Sequence, residues 1–198
     1  PPTSSSTWSP TTTPCTPQPI LTCPGVNPGN NPIPTILKMA RVTTVAPIPT
    51  AEREDMVNAY YRRLTGSNEL ERLRAAKAWS VWEGSTLTLE SNASVVEHFG
   101  EAKMALSLAR IECHYFVNHC FMKPDQLLRD AGRLSGIPGV IVHGRYDVVC
   151  PLDNAWALHH AWPESEIRIV TPAGHAASEP GIVDALITAT QSFADRFK

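Results

Sequence analysis

The sequence predicts an α/β protein in which part of a parallel sheet follows an all-helical region. Over residues 50–133 the apolar positions recur at about one helical turn. The period then switches to two short apolar runs, residues 137–142 and 166–170, of the kind that forms buried parallel strands. A helical stretch from Leu152 to about Trp162 separates the runs, and a second, from about Gly181 to Phe197, follows them. This βαβα order favours parallel pairing through a right-handed crossover. Polar residues follow both runs, Asp147 after the first and His175 after the second, at the strand ends where open parallel sheets carry their chemistry.

Three segments emerge along the chain. Residues 1–49 hold twelve of the eighteen prolines together with many Thr, Ser and Asn, a composition that removes amide donors and opposes helix and central strand alike. This tract is expected to be disordered or poorly packed; the alternative is a Pro-rich ligand for a partner module. Residues 50–133 form the helical segment. Its first helix carries Met56, Val57, Tyr60, Tyr61 and Leu64 and stops near Gly66. The second starts at about Asn68 and presents Leu70, Leu73, Ala76, Trp79 and Trp82, with Glu83 directly after that face. The third spans residues 101 to about 118, with Met104, Leu106, Leu108, Ile111, Tyr115 and Phe116 as its apolar face and Glu112 in its second half. Residues 134–198 supply the βαβα unit. Two parallel strands cannot cover their own faces and edges, so the sheet is expected to be a part of a larger one.

Composition narrows the partners. With 198 residues, 42% hydrophobic and a net charge of -2, the chain has enough apolar material for one core and no clustered basic face for nucleic acid. No window reaches the ~20 apolar residues of a membrane span, and no basic-then-apolar leader pattern opens the sequence. Five cysteines, without a Cys-x-x-Cys pair or metal-ligand spacing, argue for reduced thiols and a cytoplasmic setting. A small molecule is the expected partner.

Asp147 and His175 lie 28 residues apart, the length of one strand–helix–strand excursion that returns to the same sheet end. In acyl transfer a histidine takes the nucleophile's proton while a buried carboxylate fixes its tautomer and steadies the imidazolium. The plainer alternative is that Asp147 caps the following helix and His175 is an ordinary loop histidine.

The strings around these residues are Gly139-Val140-Ile141-Val142-His143-Gly144-Arg145-Tyr146-Asp147-Val148-Val149-Cys150-Pro151 and Ala173-Gly174-His175-Ala176-Ala177-Ser178-Glu179-Pro180. With Ala78-Trp79-Ser80-Val81-Trp82-Glu83 and Ala109-Arg110-Ile111-Glu112-Cys113-His114-Tyr115-Phe116, they closely resemble the proline iminopeptidases of the α/β-hydrolase fold. The resemblance runs from about Pro47 to the C-terminus. It implies a partial hydrolase fold, with a helical cap at residues 50–133 and the last strands and helices of the sheet at residues 134–198. It also implies a serine aminopeptidase that releases N-terminal proline without a metal or organic cofactor. By that resemblance Asp147 is the triad acid, His175 the triad base, and Glu83 and Glu112 hold the free amino group of the substrate. A desolvated carboxylate pair suits an exopeptidase, because it binds a terminal ammonium and rejects an acylated one. The plainer readings are a surface acid at a helix end for Glu83 and an ion pair with Arg110 or Lys103 for Glu112.

One part of the family pattern has no counterpart. The 198 residues contain no Gly-x-Ser-x-Gly nucleophile elbow, and the serines at positions 4–6, Ser9 and Ser85 lack the strand-to-helix context of one. The expectation is a fragment with acid, base and amine-binding glutamates and little turnover by itself. Two alternatives stay open: a non-catalytic protein that recognises peptide N-termini, and another α/β hydrolase such as an esterase. Cys150, three residues after Asp147, does not sit on an elbow and is not expected to replace the serine.

Overall fold

The computed structural model describes residues 45–196. The Pro-rich tract therefore lies outside the described residues, except for its last five positions. A 3-10 turn, Thr50–Asp55, leads into α1 (Met56–Thr65), followed by α2 (Glu69–Thr86), α3 (Ala93–Phe99) and α4 (Ala102–Val117). Short pieces follow, including α5 (Gln126–Asp130), before β1 (Gly139–Gly144), α6 (Leu152–Ala161), β2 (Ser165–Val170) and α7 (Pro180–Arg196).

Local chemistry sets the helix starts. The side chain of Asp55 accepts from the Asn58 amide at 3.2 Å, Asn68 from Glu71 at 3.2 Å and Asn92 from Val95 at 3.3 Å, each satisfying a first-turn donor that the helix itself leaves unpaired. The Asn68 start and the Gly66 stop agree with the sequence reading. Helices α3 and α5 went unread because segments of seven and five residues are too short to display a period.

The core lies among α1, α2 and α4. Ile48, Met56, Ala59, Tyr60, Leu64, Ala75, Ala76, Trp79, Ala105, Ala109 and Cys113 form one buried cluster. Alanines at the facing positions let α2 and α4 approach closely, and the Tyr60 and Trp79 rings meet edge to face with centroids 5.0 Å apart. Four apolar positions read as inward from periodicity point outward instead: Leu70, Leu73, Ile111 and Tyr115 are all exposed. The helix contact is made by alanines and aromatics C-terminal to the two leucines. On α4 it is made by the stripe Ala105–Ala109–Cys113, which Ile111 and Tyr115 do not share.

Strands β1 and β2 pair in parallel, from Gly139 opposite Ser165 to Gly144 opposite Val170. Both strands contact α6 and α7. Among the described residues the sheet has only these two strands, and Ile137, Ile169, Val183, Leu186 and Ile187 remain exposed around it. At the C-terminal end of β1 a Cβ on Gly144 would collide with the Gly174 carbonyl oxygen. The absence of a side chain there lets the Asp147 turn and the His175 loop come together. Among the described residues no helix is long and apolar enough to cross a membrane.

Replacing Leu64, fully buried, by alanine is expected to cost about 2–5 kcal/mol, and replacing Leu70, 58% exposed, less than about 0.5 kcal/mol. Urea unfolding of both variants checks the assignment of the inward faces.

Candidate active site

The turn after β1 and the loop after β2 meet at Asp147. Its Oδ2 accepts from Nδ1 of His175 at 2.8 Å, while Oδ1 accepts the backbone amides of Val149 at 2.9 Å and Cys150 at 2.8 Å. Asp147 does not cap α6, whose N-cap is Pro151; it ties down the turn ahead of that helix with one oxygen and holds a histidine with the other. Nε2 of His143 lies 3.7 Å from the same Oδ2. Burial pushes the Asp147 carboxyl up, but the His175 bond and the two amide bonds outweigh it and leave the group below its ordinary range.

His175 responds in the complementary direction. The Asp147 bond, followed by the neighbouring Cys150 side chain, raises its pKa from 6.5 to about 10, against a smaller opposing effect of burial. The Asp147 carboxylate thus favours the protonated ring. Its loop is held by the Leu87 carbonyl, which accepts from the His175 and Ala176 amides at 2.8 Å each.

Helices α2 and α4 bring the two glutamates to this region. Glu83 sits near the end of α2, buried, and its carboxylate receives no hydrogen bond among the described residues. Burial raises its pKa from 4.5 to about 7, reinforced by the charges of Glu112 and Asp147 and partly relieved by His175. Glu112, on α4, accepts a 2.6 Å hydrogen bond from Nε1 of Trp79. Burial also pushes Glu112 up, opposed by the Trp79 bond and the His175 charge. Neither plainer reading of the glutamates fits: Glu83 is not a surface acid, and the partner of Glu112 is Trp79, not Arg110 or Lys103. Of the flanking aromatics, Trp79 and Trp82 are buried and Tyr115 is 49% exposed.

Sequence reasoning missed three features. They are the approach of His143, the Cys150 side chain beside the imidazole, and Glu179, whose carboxylate accepts from the Gly174 amide at 2.6 Å and the Leu89 amide at 3.2 Å. Glu179 had a signal in the sequence, an acid directly before Pro180 at a helix start, but nothing there showed that it reaches back across the loop. Cys113 is buried and its thiol is pushed up to about 12, chiefly by burial, which makes it unreactive. Among the described residues no cluster of His, Cys, Asp and Glu could hold a metal ion.

A strand-end carboxylate hydrogen-bonded to a histidine from the neighbouring strand end, beside a helical region, is the arrangement expected from the resemblance to an α/β hydrolase. Relatives define the family more closely. The chain is 57% identical over 148 residues to the proline iminopeptidase of Xanthomonas citri, covering 74% of this chain and 47% of that protein. It is 55% identical over 150 residues to the proline iminopeptidase of Xylella fastidiosa strain Temecula1, covering 75% and 48%. With the proline iminopeptidase of Arabidopsis thaliana it shares 46% over 147 residues, covering 73% and 38%. No family model matches the chain. Over the three-quarters that these relatives share with it, the chain belongs to the proline iminopeptidase family, and it spans about half the length of the curated relatives it matches.

Glu83 keeps its proton to about pH 7 when folded but releases it near 4.5 when unfolded, so its contribution to stability falls as pH rises between those values. Glu83→Gln should remove that fall, and thermal unfolding from pH 4 to 8 should show the variant gaining on the parent by about 3 kcal/mol at the upper end. His175 acts in the same direction, because a raised histidine stabilises fully below 6.5 and loses that contribution as pH rises through about 10. Trp79→Phe, which removes the indole donor, should raise the Glu112 pKa further, as read by carboxyl carbon NMR titration.

Proposed function

We propose that residues 50–133 are the cap and residues 134–198 the C-terminal part of the catalytic domain of a serine aminopeptidase that removes N-terminal proline from peptides. The observation that carries this reading is the Glu83 carboxylate, which is buried, receives no hydrogen bond among the described residues, and is further opposed in ionising by the Glu112 charge. Such a group calls for a cation. The ammonium of a chain terminus is one, and a charge-assisted bond to it contributes roughly 1.5–3 kcal/mol. Trp79 and Trp82 give the same region the apolar character that suits a proline ring.

In this reading Asp147 holds Nδ1–H of His175, so that the other ring nitrogen takes the proton from a serine hydroxyl as its oxygen attacks the proline carbonyl. The same proton then passes to the departing amine, and water repeats the cycle on the acyl-enzyme. Glu83 and Glu112 fix the substrate by its amino end and reject acetylated termini. The chain is read as a cytoplasmic fragment acting on a peptide, with no metal, organic cofactor, nucleic acid or membrane involved.

For the 198-residue chain itself the expected outcome is binding with little turnover. No nucleophile elbow occurs among these residues, and loss of a triad member removes most of the rate. That observation favours the second reading, recognition of peptide N-termini without catalysis. An esterase would have no use for a buried amine-binding pair.

Prolyl and acetylprolyl p-nitroanilides and a prolyl ester separate the readings. We expect the free-amine anilide to bind, the acetylated one not to, and chromophore release to be at least ~10³-fold below that of an intact triad. Glu83→Gln should weaken binding by about tenfold or more, measured by calorimetry at pH 8. Equal binding of both anilides, or faster cleavage of the ester, would count against the assignment.

A further inference from the structure

Glu179 belongs to neither the acid–base pair nor the glutamate pair, yet it touches the backbone of both neighbourhoods. It stands at the start of α7, where its carbonyl accepts from the Ile182 amide at 2.9 Å and the Val183 amide at 3.0 Å. Its side chain is turned away from that helix. Oε1 accepts from the Gly174 amide, adjacent to His175, and Oε2 from the Leu89 amide, three residues beyond the end of α2. Beside this bracket the Leu87 carbonyl accepts both the His175 and Ala176 amides. Three hydrogen bonds therefore stitch the exit of α2 to residues 175–179, and the fourth, from Gly174 to Glu179, closes that segment on itself. A Cβ on Gly174 would stand 2.9 Å from the Leu89 nitrogen and 3.2 Å from Oε1 of Glu179, so the close approach requires glycine there.

The stitched segments carry the two halves of the site. Glu83 lies one helical turn before Leu87, and His175 is the residue that Leu87 binds. No helix from α1 to α4 packs broadly on β1 or β2, which leaves the distance between Glu83 and His175 to these loop bonds.

We propose that Glu179 is a positioning residue, a carboxylate bracket that holds the helix bearing Glu83 in register with the loop bearing His175. Its meaning for catalysis rests on the aminopeptidase reading, but the bracket itself does not. A misplacement of about 1 Å between a substrate anchor and the reacting group can cost ~10²-fold in rate, which is why such a link would matter in a complete enzyme. The conservative change Glu179→Gln is informative, because an amide offers one acceptor oxygen and can serve only one of the two N–H groups.

The test reads the electrostatic link between Glu83 and His175 in the chain as it is, without substrate. The groups facing His175 are Asp147 and Cys150 from the turn after β1, His143 from β1, Glu83 from α2 and Glu112 from α4. Proton NMR of the His175 ring gives its pKa in the parent and in Glu83→Gln. Loss of the Glu83 charge should lower it by about 0.5 unit or more. In the Glu179→Ala background the same Glu83 substitution should move His175 by less than half as much, while the amide spectrum stays dispersed. If the alanine variant does not fold, Glu179→Gln is held to the same criterion. An undiminished shift in a folded Glu179 variant would overturn the proposal. Failure of the aminopeptidase reading would show as absent amine recognition, which leaves these titrations unaffected.

Discussion

The Asp147 carboxylate is the interaction on which the site depends. One oxygen shapes the turn after β1 through two amides, and the other fixes the imidazole of His175. The turn and the ion pair are therefore formed together. An aspartate that had to satisfy only one of these demands could relax away from the other. Here the glycines at 144 and 174 remove the steric obstacle to their meeting, and the parallel register of β1 and β2 brings both strand ends to the same level.

Around that pair the charges are arranged unevenly. The carboxylate at Asp147 is stabilised by its donors and lies low, while the buried Glu83 and the half-buried Glu112 lie high. Burial raises both glutamates, and the single Trp79 bond does not offset it at Glu112, whereas three hydrogen bonds outweigh burial at Asp147. Carboxyl groups in one neighbourhood thus lie on opposite sides of their ordinary range.

Much of this was legible in the sequence because the relevant signals are short and local. The switch from helical to strand period located the βαβα unit, and the spacing of Asp147 and His175 placed them at adjacent strand ends. Asn68 and Gly66 marked helix limits through their own backbone chemistry. What stayed hidden depends on three-dimensional choice. Leu70, Leu73, Ile111 and Tyr115 fit an apolar period, but the helices meet through alanines, whose small size makes them weak markers of an inward face. The bond from Trp79 to Glu112 spans 33 residues, and that from Glu179 to Leu89 spans 90. Neither could be read from spacing, because no periodicity links one element to a distant loop.

The two-strand sheet has a consequence for how the molecule comes apart. Its apolar rim is wet and its one ladder is short, whereas the bundle around Tyr60 and Trp79 is enclosed, so resistance to opening is divided unequally along the chain. Amides of β1 and β2 should exchange with solvent through excursions that leave α1, α2 and α4 intact. In each such excursion the His175 loop departs while Glu83 remains in place on α2, so the two groups have different lifetimes within one polypeptide.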